Sequence, residues 1–207
     1  MTVWSERLGE ISDDQFAAAL NEAGLGDFLS AAPISTGLFG QNVFLTATTG
    51  DYVFRGAPHW HNGGPNDAWQ FPKERYYANL LHAETQVPAA WPQHLGRCEA
   101  FEWPYLIMPR LPGLCLADAD VRRSLSPEDH LAVARAMGET LASLQTLTRT
   151  AAGDFDPDFQ DFVPYPGGYG AHLAQMIARH SASARANGRF TAEADRWLQA
   201  RFASGGP

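Results

Sequence analysis

Charge is scarce in this chain of 207 residues: Asp, Glu, Lys and Arg together make up 18%, below the quarter usual for globular domains. Basic residues are the scarcer sign, 15 against 23 acidic, leaving a formal net charge of −8 with the histidines neutral. A surface of that sign repels phosphate backbones, which argues against nucleic acid as a partner and suits a cationic small molecule. Cysteine is almost missing. Cys98 and Cys115 make neither a metal-type pair nor a disulfide framework, and a reduced, cytoplasmic setting is the expectation. No apolar run approaches the length of a membrane span, and the opening Met1-Thr2-Val3-Trp4-Ser5-Glu6-Arg7 holds no apolar secretory core. Neither G-x-x-x-x-G-K-[ST] nor G-x-S-x-G occurs, so P-loop and covalent-hydrolase chemistry have no anchor.

What is present suffices for a core, since 45% of the residues are apolar, and 19 Gly with 14 Pro point to many turns. Ser12-Asp13-Asp14-Gln15 reads as a capping box flanked by Ile11 and Phe16, predicting a helix from about 13 to 23 that stops at Gly24. Three β-like runs follow, at 33–36, at 42–48 and, after the Thr49-Gly50 turn, at 51–55. Residues 59–70 look loop-like, and Pro72 suits the first turn of a helix near 73–84 with Tyr77, Leu80 and Leu81 on its apolar face. Further strands are expected at 95–101 and 104–108. Ser126-Pro127-Glu128-Asp129 starts another helix, with Leu131, Ala134, Met137, Leu141 and Leu144 as a buried stripe. The stretch 151–168 reads as irregular, before helices near 171–186 and 192–203 with Thr191 as the cap between them. Strands come first and helices second, an α+β order with a boundary around 109–113.

Gly37-Leu38-Phe39-Gly40-Gln41-Asn42 is a glycine loop between two antiparallel strands. Such a loop can press its backbone amides against phosphate oxygens, because glycine has no side chain to hold them apart. It can equally be an ordinary hairpin. The order of features is more specific than any one of them. Tyr52-Val53-Phe54-Arg55 places a cation on the next strand, and Phe71-Pro72-Lys73-Glu74-Arg75 places a carboxylate on the next helix. Then come Val87-Pro88, a strand ending Tyr105-Leu106-Ile107-Met108, the linker Pro109-Arg110-Leu111-Pro112-Gly113, and Leu-Ala-Ser-Leu-Gln at 141–145.

This succession, over roughly residues 31–147, resembles the amino-terminal half of the aminoglycoside phosphotransferase family, relatives of choline kinase and more distantly of protein kinases. The resemblance implies a protein-kinase-like α+β fold: an antiparallel-sheet N-lobe with one packed helix over 1–108, then a hinge and an incomplete helical C-lobe over 109–207. It implies transfer of the ATP γ-phosphoryl group to a small-molecule hydroxyl. Gly37, Gly40 and Asn42 would lie over the phosphates, Arg55 would grip them, and Glu74 would pair with Arg55. Met108 to Arg110 would be the hinge that reads adenine. On the residues alone, Arg55 and Glu74 could instead be solvated surface charges, and Met108 simply core.

Three departures stand out. Pro109 has no amide hydrogen, so a hinge donor to adenine would come from a neighbour such as Arg110. Gln145 stands where the family usually has a histidine. The His-Gly-Asp-type loop, with its downstream Asn and a second Asp for Mg²⁺, is expected beyond Pro207, which leaves the 207 residues by themselves without turnover. Asp154, in Ala152-Gly153-Asp154-Phe155, imitates that loop but has no histidine and follows the 126–147 helix too closely. His59-Trp60-His61 lacks a third ligand at useful spacing, so no metal site is expected. The rival to an enzyme is a short protein of the same fold that binds a nucleotide or a partner and transfers nothing.

Overall fold

Short runs with a two-residue period build most of the first part of the chain. The computed structural model describes residues 10–34, 42–56, 67–97, 99–101, 103–156, 158 and 161–202. Strands β1 (Phe28–Pro33), β2 (Asn42–Ala47), β3 (Gly50–Gly56), β4 (His94–Gly96) and β5 (Tyr105–Pro109) form one antiparallel sheet in the order β1-β2-β3-β5-β4. Val43, Leu45 and Ala47 of β2 are buried, while Asn42, Phe44 and Thr46 between them are only half-buried. Phe54 of β3 and Tyr105 and Ile107 of β5 continue the buried side. Helix α1 (Asp13–Glu22) closes it with Phe16, Ala19 and Leu20. The expected capping box is present: Ser12 Oγ accepts from the Gln15 amide at 3.3 Å, and Gln15 Oε1 accepts from the Ser12 amide at 3.0 Å.

Tyr105 ties this core together. Its ring stacks on Phe54 with centroids 5.3 Å apart, and its hydroxyl donates to Glu22 Oε2 at 2.5 Å. Gly96 lies opposite it in register, and a Cβ there would fall 2.2 Å from the tyrosine ring. Only glycine admits that approach.

Helix α2 (Asp67–Glu84) carries Phe71, which packs with Leu106, Trp103 and Met108 in a second, smaller cluster. It begins six residues before the expected 73, within the loop-like stretch 59–70, and Pro72 sits inside it rather than at its first turn. A proline there lacks the amide and crowds the carbonyl four residues back. Burial of Phe71, worth roughly 1.5–3 kcal/mol, offsets much of that cost. Strand β1 also corrects the expectation: it ends at Pro33, where the strand was expected to begin. Pairing with β2 from Phe28↔Ala47 to Pro33↔Val43 decides its extent, not the propensity of its exposed residues. Strand β4 is three residues long in place of the expected seven.

The chain divides into two compact units, residues 1–147 and 148–207, and the expected lobe boundary at 108/109 falls inside the first. That unit continues through α3 (Ala119–Ser124) and α4 (Pro127–Leu144), the latter opened by a capping box of Ser126 with Asp129. The expected buried stripe of α4 is not buried: Leu131, Met137 and Leu141 are 71%, 61% and 57% exposed. The amphipathic period is present, but period alone does not say what covers the face.

In the second unit, a hairpin of β6 (Gly153–Asp156) and β7 (Asp161–Pro164) replaces the expected irregular stretch. Phe155 is its buried residue. Helices α5 (Gly168–Ala186) and α6 (Ala192–Phe202) follow, and Thr191 Oγ1 caps α6 by accepting from the Ala194 amide at 3.1 Å. Buried Asp195 of α6 is held by Arg185 Nη1 of α5 at 2.5 Å. Among the described residues, no helix is long and apolar enough to cross a membrane.

The two apolar environments of the first unit give opposite responses to truncation. Phe54→Ala, at a fully buried side chain, is expected to cost about 3–5 kcal/mol, whereas Leu141→Ala on the exposed stripe should change stability by about 0.5 kcal/mol or less. Urea denaturation of the two variants measures the contrast. Similar losses in both would mean that the α4 face is covered in solution.

Candidate functional site

Strand alternation sends neighbours on β3 to opposite sides of the sheet: Phe54 enters the core under α1, and Arg55 emerges on the side of α2. Across the ladder Arg55 stands between Asn42 of β2 and Leu106 of β5. Glu74 reaches it from α2. Arg55 Nη1 donates to Glu74 Oε2 at 2.7 Å, with each side chain 27% exposed. The other carboxylate oxygen of Glu74 accepts from Gln70 Nε2 at 3.0 Å, one helical turn earlier. The glutamate is thus gripped from its own helix while it holds the guanidinium of another element. A guanidinium has five N–H donors, and one of them makes this contact.

The pair lies at one end of a cavity of about 600 Å³. Gln70, Lys73, Glu74, Tyr77, Ala78 and Leu81 form its helical wall, and Ala89, Ala90 and Gln93 close the opposite side. Lys73 is the only lysine of the sequence, so two of the chain's cations share this wall. Gln93 is 7% exposed and its Oε1 has no hydrogen-bond partner, while its Nε2 lies 4.0 Å from Met108 Sδ.

Met108 is half-buried on the same face, against Phe71 and Leu106. Arg110 is placed differently from its expected role as a hinge donor. Its amide donates to Asp51 O at 3.0 Å, which adds a rung beyond β5, and its guanidinium lies 3.9 Å over the Phe44 ring. Gly37, Gly40 and His59-Trp60-His61 fall outside the described residues. Asp154 lies on β6 of the second unit, where its Oδ1 accepts from the Phe155 amide at 2.8 Å. Among the described residues no group of three or more His, Cys, Asp or Glu is placed to hold a metal ion. Gln70, Tyr77 and Gln93 were absent from the sequence reading of the site. The i, i+4 spacing of Gln70 to Glu74 is visible in the sequence, but a helix expected only from 73 leaves Gln70 outside it.

A second, smaller cavity of about 170 Å³ adjoins Gln93 and is lined by Glu22, Arg75, Gln93, His94 and Tyr105 among others. Burial holds the His94 imidazole below its ordinary value of 6.5, and the Arg75 guanidinium adds to the effect.

A family model described as the APH phosphotransferase enzyme family matches residues 30–206. No curated protein and no solved structure matches the chain.

The lowered affinity of His94 for protons has a defined sign. Below pH 6.5 the unfolded chain takes up the proton before the folded one, so stability falls as pH drops from 6.5 toward the lower folded value. His94→Gln should flatten the stability–pH curve in that window and leave it unchanged above pH 7. Thermal melts from pH 5 to 8 measure this, and parallel curves for both proteins would exclude His94 as the titrating group.

Proposed function

The chain belongs to the APH phosphotransferase enzyme family, and from that premise we propose that the Arg55 end of the larger cavity binds the phosphate chain of ATP in a kinase-like lobe. The reaction is transfer of the γ-phosphoryl group to a hydroxyl of a small molecule. A cationic acceptor fits the net charge of −8. The observation that carries the reading is the Arg55–Glu74 ion pair, which joins a central strand to the helix packed beside it.

Phosphoryl transfer asks a protein mainly for positioning and for neutralisation of charge. Arg55 supplies a planar cation that can meet two phosphate oxygens at once. Glu74 keeps that cation from swinging into solvent, and Gln70 keeps Glu74 in place. Lys73 adds positive charge on the same wall. Asn42 stands beside Arg55 in the ladder, at the same end of the site. Met108 offers an apolar wall for a base on the same sheet face. The Arg110 amide, bonded to Asp51, is not assigned to the base. ATP supplies the transferred group. Mg²⁺ would lower the charge of the phosphates in such a reaction, but no described donor set fits it, and no step is routed through it.

Arg55→Gln keeps the length of a polar side chain and removes the charge. Charge-assisted hydrogen bonds contribute about 1.5–3 kcal/mol, so affinity for a non-hydrolysable ATP analogue should fall roughly 10- to 100-fold. Stability should change little, because a partly exposed ion pair contributes about 0–1 kcal/mol. Calorimetric titration of both proteins is the measurement. Equal affinities would remove Arg55 from the phosphate site and with it this assignment.

A further inference from the structure

The side of the sheet that carries Arg55 also carries a row of apolar residues one rung away. Val53 pairs with Phe44 of β2 on one side and with Met108 of β5 on the other. Paired residues point to the same side of a sheet, and the two-residue period puts Val53 with Arg55, away from Phe54. All three are half-buried. Met108 packs against Phe71 and Leu106, whereas Phe44 and Val53 belong to neither buried cluster of the described residues. The row is an apolar platform beside the guanidinium assigned to the phosphates. Arg110 lies across it. The Arg110 amide is bonded to Asp51 of β3, yet its guanidinium stands 3.9 Å over the Phe44 ring of β2. Neighbouring strands are about 4.8 Å apart, so the side chain crosses β3 and roughly 10 Å of the sheet face to reach that ring. Arg110 is exposed, and among the described residues its guanidinium has this ring contact and no hydrogen bond or ion pair.

We propose that Arg110 sets the affinity of the site for the base of the nucleotide by holding its seat: the guanidinium stacks on Phe44 until the base takes its place. This rests on the reading of the site as a nucleotide site. Carbon atoms in contact lie about 3.5–4.0 Å apart, so no ring slips between Phe44 and a guanidinium at 3.9 Å. The base and Arg110 therefore compete for the ring. A base stacked on an aromatic side chain is held more strongly than an exposed cation on the same ring. Exchange thus favours the nucleotide, while Arg110 takes back part of the affinity. Arg55 stands opposite Leu106, four residues and roughly 13 Å along β5 from position 110. The two cations consequently act on different parts of the ligand.

Adenosine is the probe, because it carries the base and no phosphate, and loss of a cation does not alter its attraction to the site. Saturation-transfer NMR titrations of the full chain should show adenosine binding about two- to fivefold tighter to Arg110→Gln, the span of an exposed cation–π contact. Phe44→Leu should weaken adenosine about fivefold or more, and in that background Arg110→Gln should change nothing. In the unaltered chain the Arg110 Nε–H resonance, displaced by the ring current of Phe44, should move when a non-hydrolysable ATP analogue is added. Equal or weaker binding of adenosine to Arg110→Gln would overturn the proposal, as would absence of binding to that variant. So would a gain that survives in Phe44→Leu, or an Arg110 resonance that stays in place while the analogue binds. If the analogue binds and any of these results is found, the seat assignment alone falls. An analogue that does not bind the unaltered chain removes the nucleotide reading itself, which separates the two failures.

Discussion

The two-residue period of β3 is the constraint on which the first unit depends. Phe54 is fully buried against Phe16, Phe101 and Tyr105, while Arg55, its neighbour, stands on the opposite side with Glu74. A slip of one residue in pairing would drive the guanidinium into the aromatic core and set the phenylalanine in water. The register Phe54↔Val43 and Arg55↔Leu106 is therefore fixed by burial on one side and by charge on the other. Core and candidate site are specified by the same strand.

The ion pair itself adds little to stability, being partly open to water. Its significance lies in the fact that it joins two elements whose positions are set by other forces. The sheet is held by its aromatic core and by the Tyr105 contacts with Glu22 and Gly96. Helix α2 is held by Phe71 against Leu106. With both supports in place, the carboxylate and the guanidinium meet without either backbone having to move, which is the condition for a preorganised cation. Gln93 follows the opposite logic, since it is buried to 7% exposure while its Oε1 lacks a hydrogen-bond partner.

Outside the sheet, charge and burial are arranged more locally. Asp195 is buried on α6 and is reached by Arg185 of α5. Removing the arginine would leave a carboxylate in a poor solvent. Helix α4 has good caps and a regular apolar period, yet its large apolar residues are exposed. Capping and period form the helix, and neither determines its burial.

The sequence alone was enough for features in which a few adjacent residues decide the outcome. The capping box at Ser12–Gln15, the start of α4 at Ser126, the cap at Thr191, the antiparallel strands and the contact of Arg55 with Glu74 were all legible, because caps and alternation are local and the family resemblance is written in order and spacing. Tertiary contact decided the rest. Phe71 on Leu106 carries α2 back past Pro72, which puts Gln70 beneath Glu74. Asp51 takes the Arg110 amide, Tyr105 requires Gly96, and Ala89, Ala90 and Gln93 face α2 across a cavity. Each of these joins residues distant in sequence, and local spacing cannot encode which surfaces meet, since that depends on the burial of the whole unit.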